Sequence, residues 1–238
     1  MKPGYGFTLV EILITFIVVG FVIGGLLIPF SIQMDYEKIR ITQKRLDNIK
    51  EALIFFALNH GHLPCPALDS NDGREAPRIP GGHVCNIYDS SDGYLPWRTL
   101  SVEKEDGWGR PFRYRVDGWF SNSDGIYTTS SNPIGATKSQ LKITTQTGEN
   151  LNLLNSKYHS NVVAVIFSCG KNGLPDNKND ADGQINSDAL CTNPGTENEK
   201  INHYIQENYI ENEFDDILVW LPRNQLATRL AMAGKWPR

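Results

Sequence analysis

The sequence has no excess of basic residues and no internal repeat, and each absence excludes a class of protein. Its 23 Lys and Arg residues are outnumbered by 27 Asp and Glu residues, which gives a formal net charge of -4. General nucleic-acid binding needs a concentrated basic face, so this composition does not favour that function. No segment recurs at a period of about 20 to 50 residues, which excludes solenoids and propellers.

Common catalytic motifs are also missing. The chain contains no G-x-S-x-G, no H-E-x-x-H, no phosphate-binding glycine loop and no C-x-x-C. The neighbouring acids Asp215 and Asp216 could suggest an acid pair, but adjacent residues of a strand point to opposite faces and do not meet on one substrate. We therefore predict that the protein is not an enzyme.

Cysteine is scarce, with only four residues in the chain: Cys65, Cys85, Cys169 and Cys191. An even number in a chain with an export signal favours two disulfides. Four cysteines can pair in three ways, and proximity in sequence favours Cys65–Cys85 and Cys169–Cys191. The alternative is a zinc site in which three histidines join the first two cysteines: His60, His62 and His83. The spacing of that set matches no familiar zinc finger.

The N-terminus, in contrast, carries a long hydrophobic run. Residues Phe7–Ile28 contain one charged residue, Glu11, in 22 positions. As a helix the run would be about 33 Å long, enough to cross a bilayer core. A signal peptide is the alternative, but the run is longer than an ordinary h-region and no A-x-A-like site follows it. A carboxylate at the centre of a membrane helix costs on the order of 2.5–3.5 kcal/mol, less near an end, and is usually paired or functional.

The start of this run, Gly6 followed by Phe7-Thr8-Leu9-Val10-Glu11, resembles the cleavage and methylation signal of type IV prepilins and type II secretion pseudopilins. The resemblance implies that a prepilin peptidase cuts after Gly6 on the cytoplasmic side. It implies that Phe7 becomes the N-methylated first residue and that Glu11 pairs with the amino group of Phe7 on a neighbouring subunit. An unpaired charge is strongly disfavoured in an apolar filament core, so this pair would fix the axial register.

The hydrophobic run continues into an amphipathic helix. Pro29 is expected to kink the helix rather than end it, because no loop signal follows. Beyond it, apolar residues recur at steps of three and four and mark one face of the helix: Ile32, Tyr36, Ile39, Leu46, Ile49, Leu53, Phe56 and Ala57. We expect the helix to end near Gly61, because glycine caps helices and Pro64 prevents continuation.

These segments give the expected domain organisation, which is the layout of the pilin fold. A leader peptide at 1–6 precedes a transmembrane helix half at 7–30 and an amphipathic helix half at 31–61. A globular α+β domain, periplasmic or extracellular, follows at 62–238.

Beyond Pro64 the sequence indicates strands separated by long polar loops. The segment 112–116 alternates apolar residues with arginines, as a half-buried strand does, and 141–145 alternates more weakly. The continuous apolar runs at 162–167 and 217–221 are typical of central strands. The predicted fold is therefore α+β, with the long N-terminal helix packed on an antiparallel sheet and long disulfide-stapled loops.

Three further segments resemble parts of pseudopilins and larger prepilin-like proteins. Residues 106–114 contain Asp-x-Trp-Gly-x-Pro-x-x-Tyr, which resembles the stretch that opens the sheet; Ala52–Pro66 resembles the helix-to-loop junction and Phe214–Leu221 the last strand. Without the resemblance, the glycines and proline of the first segment predict a turn, and Trp108 and Tyr114 are expected to cover the core.

The C-terminus is expected to form a short helix. Asn224 is a candidate N-cap, and Leu226 and Leu230 lie on the side that would pack on the sheet. A partner-binding role for this helix is the alternative.

One acidic segment is a candidate calcium site, since calcium prefers several oxygen ligands and some pseudopilins hold calcium in a loop near their last strands. Four residues make up the candidate: Asp176, Asn179, Asp180 and Asp182. The spacing is not that of an EF-hand, because Lys178 occupies a ligand position, and a solvated acidic turn is the alternative. Asp69, Asn71 and Asp72 form a second, weaker cluster. No other cofactor is expected.

The resemblance as a whole implies a minor pilin or pseudopilin, a structural subunit of a type IV pilus or a type II secretion filament. The implied partners are other pilins or pseudopilins, the prepilin peptidase and an inner-membrane assembly platform. The implied location is the inner membrane, crossed once with the amino end in the cytoplasm, and then a filament in the periplasm or at the cell surface. A filament-borne adhesin or DNA-capture subunit and a membrane-tethered enzyme are the alternatives.

Overall fold

The computed structural model describes residues 8–79, 85, 92–123, 126, 141–145, 151, 161–174, 203–210 and 214–235, with only the backbone described for 23–32 and Lys142. The elements in chain order are α1 Leu9–His60, β1 Asp92–Tyr94, α2 Trp97–Leu100, β2 Arg113–Val116, β3 Lys142–Thr144, β4 Val162–Ser168, β5 His203–Ile205, β6 Ile217–Pro222 and α3 Arg223–Met232. The predicted α+β class is confirmed.

The long helix is continuous over 52 residues and passes through Pro29 without ending. It stops where the sequence predicts, at Gly61, whose φ of 79° places it in the left-handed region and whose N–H donates to the carbonyl of Ala57. Glycine adopts this conformation without the steric cost that a side chain brings, which makes it a common helix terminator. Burial of the helix begins at Ile39, so the C-terminal part of the helix packs on the globular part of the chain.

The main sheet has the order β1-β2-β4-β6, and all its pairs are antiparallel. Strand β4 is central and wholly buried, as its continuous apolar run predicts. The core between this sheet and α1 contains Tyr114 and Ile166 from the strands together with Leu53 and Phe56 from the helix. Tyr114 therefore covers the core as predicted, whereas Trp108 is only half-buried.

A second layer covers the other face of the main sheet, and the sequence did not predict it. Strand β3 pairs with β5 in a separate two-stranded sheet, and this pair is parallel. Ile143 and Tyr204 from the small sheet share a buried cluster with Val165 and Phe167 of β4. The segment 141–145 does contain the expected strand, but the strand does not join the main antiparallel sheet.

The second layer overturns the prediction that β2 is half-buried. Arg113 and Arg115 are only 0% and 4% exposed, and the whole strand is buried. Arg113 is opposite Phe167 in register and Arg115 is opposite Val165, so both arginines lie on the covered face. The guanidinium of Arg113 lies 4.6 Å from the centre of the Tyr94 ring, a cation–π contact.

The short C-terminal helix packs on the core as predicted, but its cap differs. Leu226 and Leu230 are buried in the cluster between α1 and the main sheet. The N-cap is Pro222, not Asn224, and no side chain caps the helix. The Oδ1 of Asn224 instead accepts a hydrogen bond from the side-chain amide of Asn161, just before β4, so it links the helix to the sheet.

Disulfides also follow the prediction where the structure describes them. Cys65 and Cys85 are bonded, with Cα atoms 5.6 Å apart, and close a loop with a sequence separation of 20. Cys169 is disulfide-bonded as well. Its predicted partner, Cys191, lies outside the described residues.

Candidate functional site

The helix starts in a reciprocal capping arrangement between Thr8 and Glu11. The backbone N–H of Glu11 donates to the Thr8 Oγ1 at 3.3 Å, and the backbone N–H of Thr8 donates to the Glu11 Oε2 at 2.8 Å. The Thr8 hydroxyl also donates to that carboxylate at 3.0 Å. This is a capping box, which satisfies helix-terminal N–H groups and fixes the first turn. The role of Thr8 was not predicted from the sequence, although the T-x-x-E spacing that signals a capping box is present.

Apolar side chains surround the helix beyond this cap. From Leu9 to Val22 every large hydrophobic residue is at least 45% exposed, and Glu11 is the one charged residue in the segment. The Thr15 hydroxyl, a polar group in the same segment, donates to the backbone carbonyl of Glu11. A contiguous exposed apolar surface of this kind marks a binding or membrane-interaction surface rather than a free solvent face.

Within the described part of the chain, no helix combines the length and the apolarity that crossing a membrane requires.

The predicted cleavage residues Gly6 and Phe7 lie outside the described residues. The structure places their neighbour Thr8 at the N-cap, immediately before the helix. Glu11 is therefore the one residue of the predicted assembly site that the structure describes.

A tight loop around Asp106 fastens the other part of the helix to the sheet. The Asp106 Oδ1 accepts hydrogen bonds from the backbone N–H groups of Trp108 at 2.8 Å and Arg110 at 2.9 Å. Its Oδ2 accepts from the hydroxyl of Ser168, the last residue of β4, at 2.5 Å. Asp106 is 2% exposed, so one buried carboxylate organises the turn and links it to the central strand.

The same loop contacts α1 through its backbone. The N–H of Gly107 donates to the Thr42 hydroxyl at 2.9 Å, and the Arg45 guanidinium donates to the carbonyls of Glu105 and Asp106. A side chain at Gly107 would come within 2.3 Å of the Lys38 carbonyl, so the loop lies directly against the helix backbone. We name residues 105–110 the clasp, because they join helix and sheet. The sequence predicted a turn here, but not its attachment to the helix.

The four candidate calcium ligands all lie outside the described residues: Asp176, Asn179, Asp180 and Asp182. Among the residues that the structure describes, no group of three or more His, Cys, Asp or Glu side chains is placed to hold a metal ion.

The weaker acidic cluster forms a local turn. The Oδ1 of Asp69 accepts from the backbone N–H of Asn71, the Asn71 side chain accepts from Lys104, and Asp72 lies 3.5 Å from Arg98 and 3.7 Å from Arg74. These donors occupy oxygens that a calcium ion would need, so the cluster is a solvated, charge-balanced loop.

The zinc alternative is excluded for the residues that the structure describes, because the sulfurs of Cys65 and Cys85 are bonded to each other. A zinc ligand would have to be a thiolate. His83 lies outside the described residues.

His62 has a defined role beside the disulfide loop. Its Nδ1 lies 3.0 Å from the Arg78 guanidinium and 3.0 Å from the carbonyl of Leu63. Burial, with a smaller contribution from the neighbouring Arg78 charge, lowers the pKa of His62 below its ordinary value. The neutral ring therefore fits this position better than the imidazolium.

This lowered pKa predicts a pH-dependent stability. A group whose folded-state pKa is depressed contributes stability above the unfolded-state pKa of about 6.5, and loses it as the pH falls through the folded-state value. We expect the free energy of unfolding of the full chain to fall more between pH 7 and pH 5 than that of His62→Gln. Urea denaturation at both values, followed by tryptophan fluorescence, measures the difference; equal slopes would contradict it.

Asp215 and Asp216 precede β6 rather than lying in it. The expectation that they point to opposite faces, as adjacent residues of a strand do, was therefore wrong. Both are buried, at 7% and 3% exposure. The Oδ2 of Asp215 accepts a hydrogen bond from the backbone N–H of Asn172 at 2.6 Å, so this carboxylate anchors the turn after β4.

The apolar helix start with its single carboxylate and the clasp that attaches the helix to the sheet are thus the features from which a function can be argued. No family model, no curated protein and no solved structure matches the chain.

Proposed function

We propose that this chain is a minor pilin or pseudopilin, a structural subunit of a type IV pilus or type II secretion filament that is made as a prepilin. The observation that carries the proposal is Glu11, a lone carboxylate at the start of a helix whose apolar side chains are exposed from Leu9 to Val22. An apolar surface on all sides of a helix needs an apolar surrounding. Lipid supplies it before assembly, with 7–30 as the transmembrane half, and the helices of neighbouring subunits supply it in the filament.

Assembly would give the Glu11 charge a charged partner, whereas among the described residues its carboxylate is bonded only to Thr8. In the isolated chain the carboxylate accepts two hydrogen bonds from Thr8, both from neutral groups. Cleavage after Gly6 would create a charged amino group on Phe7. Transfer of Glu11 into a helix bundle favours a charge partner, because an ion pair in an apolar surrounding costs far less than an isolated ion. Pairing with Phe7 of a neighbouring subunit would set the axial position of each copy.

The clasp supports a mechanical role for the chain. The buried Asp106 carboxylate holds the loop to β4, and the loop backbone bonds to Thr42 and Arg45 on the helix. Force on the helix would therefore pass directly to the central strand of the sheet. A filament subunit needs such a connection between the helix that assembles and the domain that the filament displays.

The proposal predicts a specific N-terminus and a charge requirement. Mass spectrometry of the native protein should show a chain that begins at N-methylated Phe7. Glu11→Gln should be processed normally but lose most of its incorporation into filaments, at least about tenfold, because the charge pair is worth more than about 1.4 kcal/mol in an apolar surrounding. Immunoblots of sheared filament fractions, normalised to membrane-bound precursor, measure incorporation.

A matched variant separates this role from helix capping. Glutamine retains the acceptor that a capping box needs, whereas Thr8→Val removes the capping hydroxyl and keeps the Glu11 charge. We expect Thr8→Val to incorporate at close to the wild-type level once processing is confirmed by mass spectrometry. If Glu11→Gln were tolerated and Thr8→Val were not, Glu11 would act as a helix cap and the assembly mechanism would be refuted. An uncut N-terminus would refute the filament proposal itself.

A further inference from the structure

One arginine holds the disulfide-closed loop against the end of the long helix. The Nη2 of Arg78 lies 3.0 Å from the Nδ1 of His62 and donates to the carbonyl of Ser121 at 3.2 Å. Its Nη1 lies 3.4 Å from the Oε2 of Glu75, which also accepts from the backbone N–H of Cys65 at 3.0 Å. The Arg78 side chain therefore ties the loop to the residue after the helix end and to the turn that follows β2.

The Nδ1 of His62 lies between a hydrogen-bond donor and an acceptor. The Arg78 guanidinium can only donate, so its contact requires a lone pair on Nδ1. The carbonyl of Leu63, also 3.0 Å from Nδ1, can only accept, so its contact requires a proton on that atom. The neutral ring with its proton on Nε2 satisfies the Arg78 contact, whereas the imidazolium, protonated on both nitrogens, satisfies only the Leu63 contact. Protonation therefore exchanges one partner of Nδ1 for the other.

The hydrogen bond of the neighbouring His60 is compatible with both protonation states. Its Nδ1 lies 3.0 Å from the carbonyl of Phe56, an acceptor that suits the neutral ring and the imidazolium alike. The His60 ring stacks on the Phe56 ring, and its centroid is 6.2 Å from that of His62. The two histidines thus lie side by side, but they differ in what protonation does to their contacts, which makes His60 a matched control for His62.

The ionisable groups around His62 come from three neighbouring parts of the chain: His60 on the helix, Glu75 and Arg78 on the disulfide loop, and Tyr114 and Asp117 on β2 and in the turn after it. Burial raises the pKa of Tyr114, so it stays neutral, and the Asp117 Oδ1 accepts from the N–H of Trp119. Burial is the largest cause of the lowered pKa of His62. The Arg78 and His60 charges add to this effect, whereas the Leu63 carbonyl and the Glu75 carboxylate oppose it.

We infer that His62 and Arg78 form an acid-released latch: protonation of His62 commits its Nδ1 to the Leu63 carbonyl and repels the Arg78 guanidinium, which frees the disulfide loop from the helix end. The bond between Cys65 and Cys85 stays intact, so the loop opens while it remains attached to the domain at both ends. The surface around the loop then differs between neutral and acidic surroundings. The latch lies wholly in the domain, so this inference is independent of the filament proposal.

Hydrogen exchange of the full chain in a non-ionic detergent tests the latch at pH 7 and pH 5, with rates corrected for the pH dependence of intrinsic exchange. The N–H groups of Cys65 and Ala76 report on the loop, because they donate to the Glu75 Oε2 and to the Pro66 carbonyl. The amides of β4 report on the main sheet. We expect the loop amides to exchange faster than those of β4, and their opening constant to rise at least about threefold at the lower pH.

Three variants identify the groups responsible. His62→Gln keeps an acceptor for Arg78 but does not titrate, so we expect it to lose the rise between pH 7 and pH 5. His60→Gln removes the neighbouring ring and should keep the rise of the wild type. Arg78→Gln removes the guanidinium that holds the loop, so its loop amides should exchange faster than those of the wild type already at pH 7, by at least about threefold.

Each arm can overturn the inference. A rise of wild-type size in His62→Gln, or its loss in His60→Gln, would refute the role of His62. Loop exchange at pH 7 that is unchanged in Arg78→Gln would refute the role of Arg78. If the loop amides exchanged only as fast as those of β4, the loop would open only when the whole domain unfolds, and the latch would be refuted. Assembly through Glu11 would be unaffected by any of these results.

Discussion

Asp106→Ala is expected to lower the free energy of unfolding by about 3 kcal/mol, because it leaves several buried donors without an acceptor. The carboxylate accepts from the N–H groups of Trp108 and Arg110 and from the hydroxyl of Ser168, at 2.5 to 2.9 Å. Alanine can replace none of these bonds, and at 2% exposure water does not reach the carboxylate position in the folded chain. Urea denaturation of the full chain in detergent measures the change.

Asp69→Ala is the matched control for this prediction. Asp69 also accepts a hydrogen bond from a backbone N–H two residues on, that of Asn71, but in an exposed loop. Water can replace the lost acceptor there, so we expect a cost below about 1 kcal/mol. Similar losses for the two variants would mean that the clasp does not depend on the buried carboxylate, and would remove the support that it gives to force transfer between helix and sheet.

The sequence predicted the features that short-range rules determine. Gly61 ends the helix because a left-handed residue followed by Pro64 three positions later prevents its continuation, and both signals are local. The bond between Cys65 and Cys85 also follows from proximity in the chain. Tyr114 is in the core because the alternation of its strand places it on the helix side of the sheet.

The burial of Arg113 and Arg115 could not be predicted in the same way. Alternation along β2 shows which residues share a face, but not whether that face is covered. The cover comes from β3 and β5, short segments that are distant in sequence from β2 and from each other. Their strand patterns are weak, and their parallel pairing has no local turn signal, so the second layer is a tertiary effect that propensity does not show.

The sequence identified Glu11 as a candidate functional residue because of its charge, but it did not predict the contacts that neighbouring residues make with it. Glu11 is conspicuous because a carboxylate in an apolar run is costly, whereas Thr8 looked ordinary until its hydroxyl was seen to complete the capping box. The clasp was hidden for a related reason. Thr42 lies within the apolar stripe of α1, three residues after Ile39 and four before Leu46, and Arg45 lies at the border of that stripe. Neither position indicates by itself that the side chain bonds to the backbone of a distant loop.

Gly170→Ala is expected to destabilise the chain by about 3 kcal/mol, through backbone strain together with a steric clash. The φ of Gly170 is +53°, a conformation that residues with a side chain rarely adopt. A Cβ there would also lie 2.1 Å from the backbone carbonyl oxygen of Asp215, which no side-chain rotation can move. The turn after β4 would have to separate from Asp215, and the hydrogen bond from Asn172 to that carboxylate would be lost with it.

Gly234→Ala isolates the conformational part of this cost. Gly234 has a φ of +67°, close to that of Gly170, but a Cβ there would meet nothing within 4 Å. We expect it to cost about 1 kcal/mol, the strain alone. The difference between the two variants, measured by urea denaturation of the full chain, then reports the contact between the turn and Asp215. If the two variants lost the same free energy of unfolding, the turn after β4 would be able to move away from Asp215 at no cost. A large difference would mean that the turn holds the segment before β6 against the end of β4.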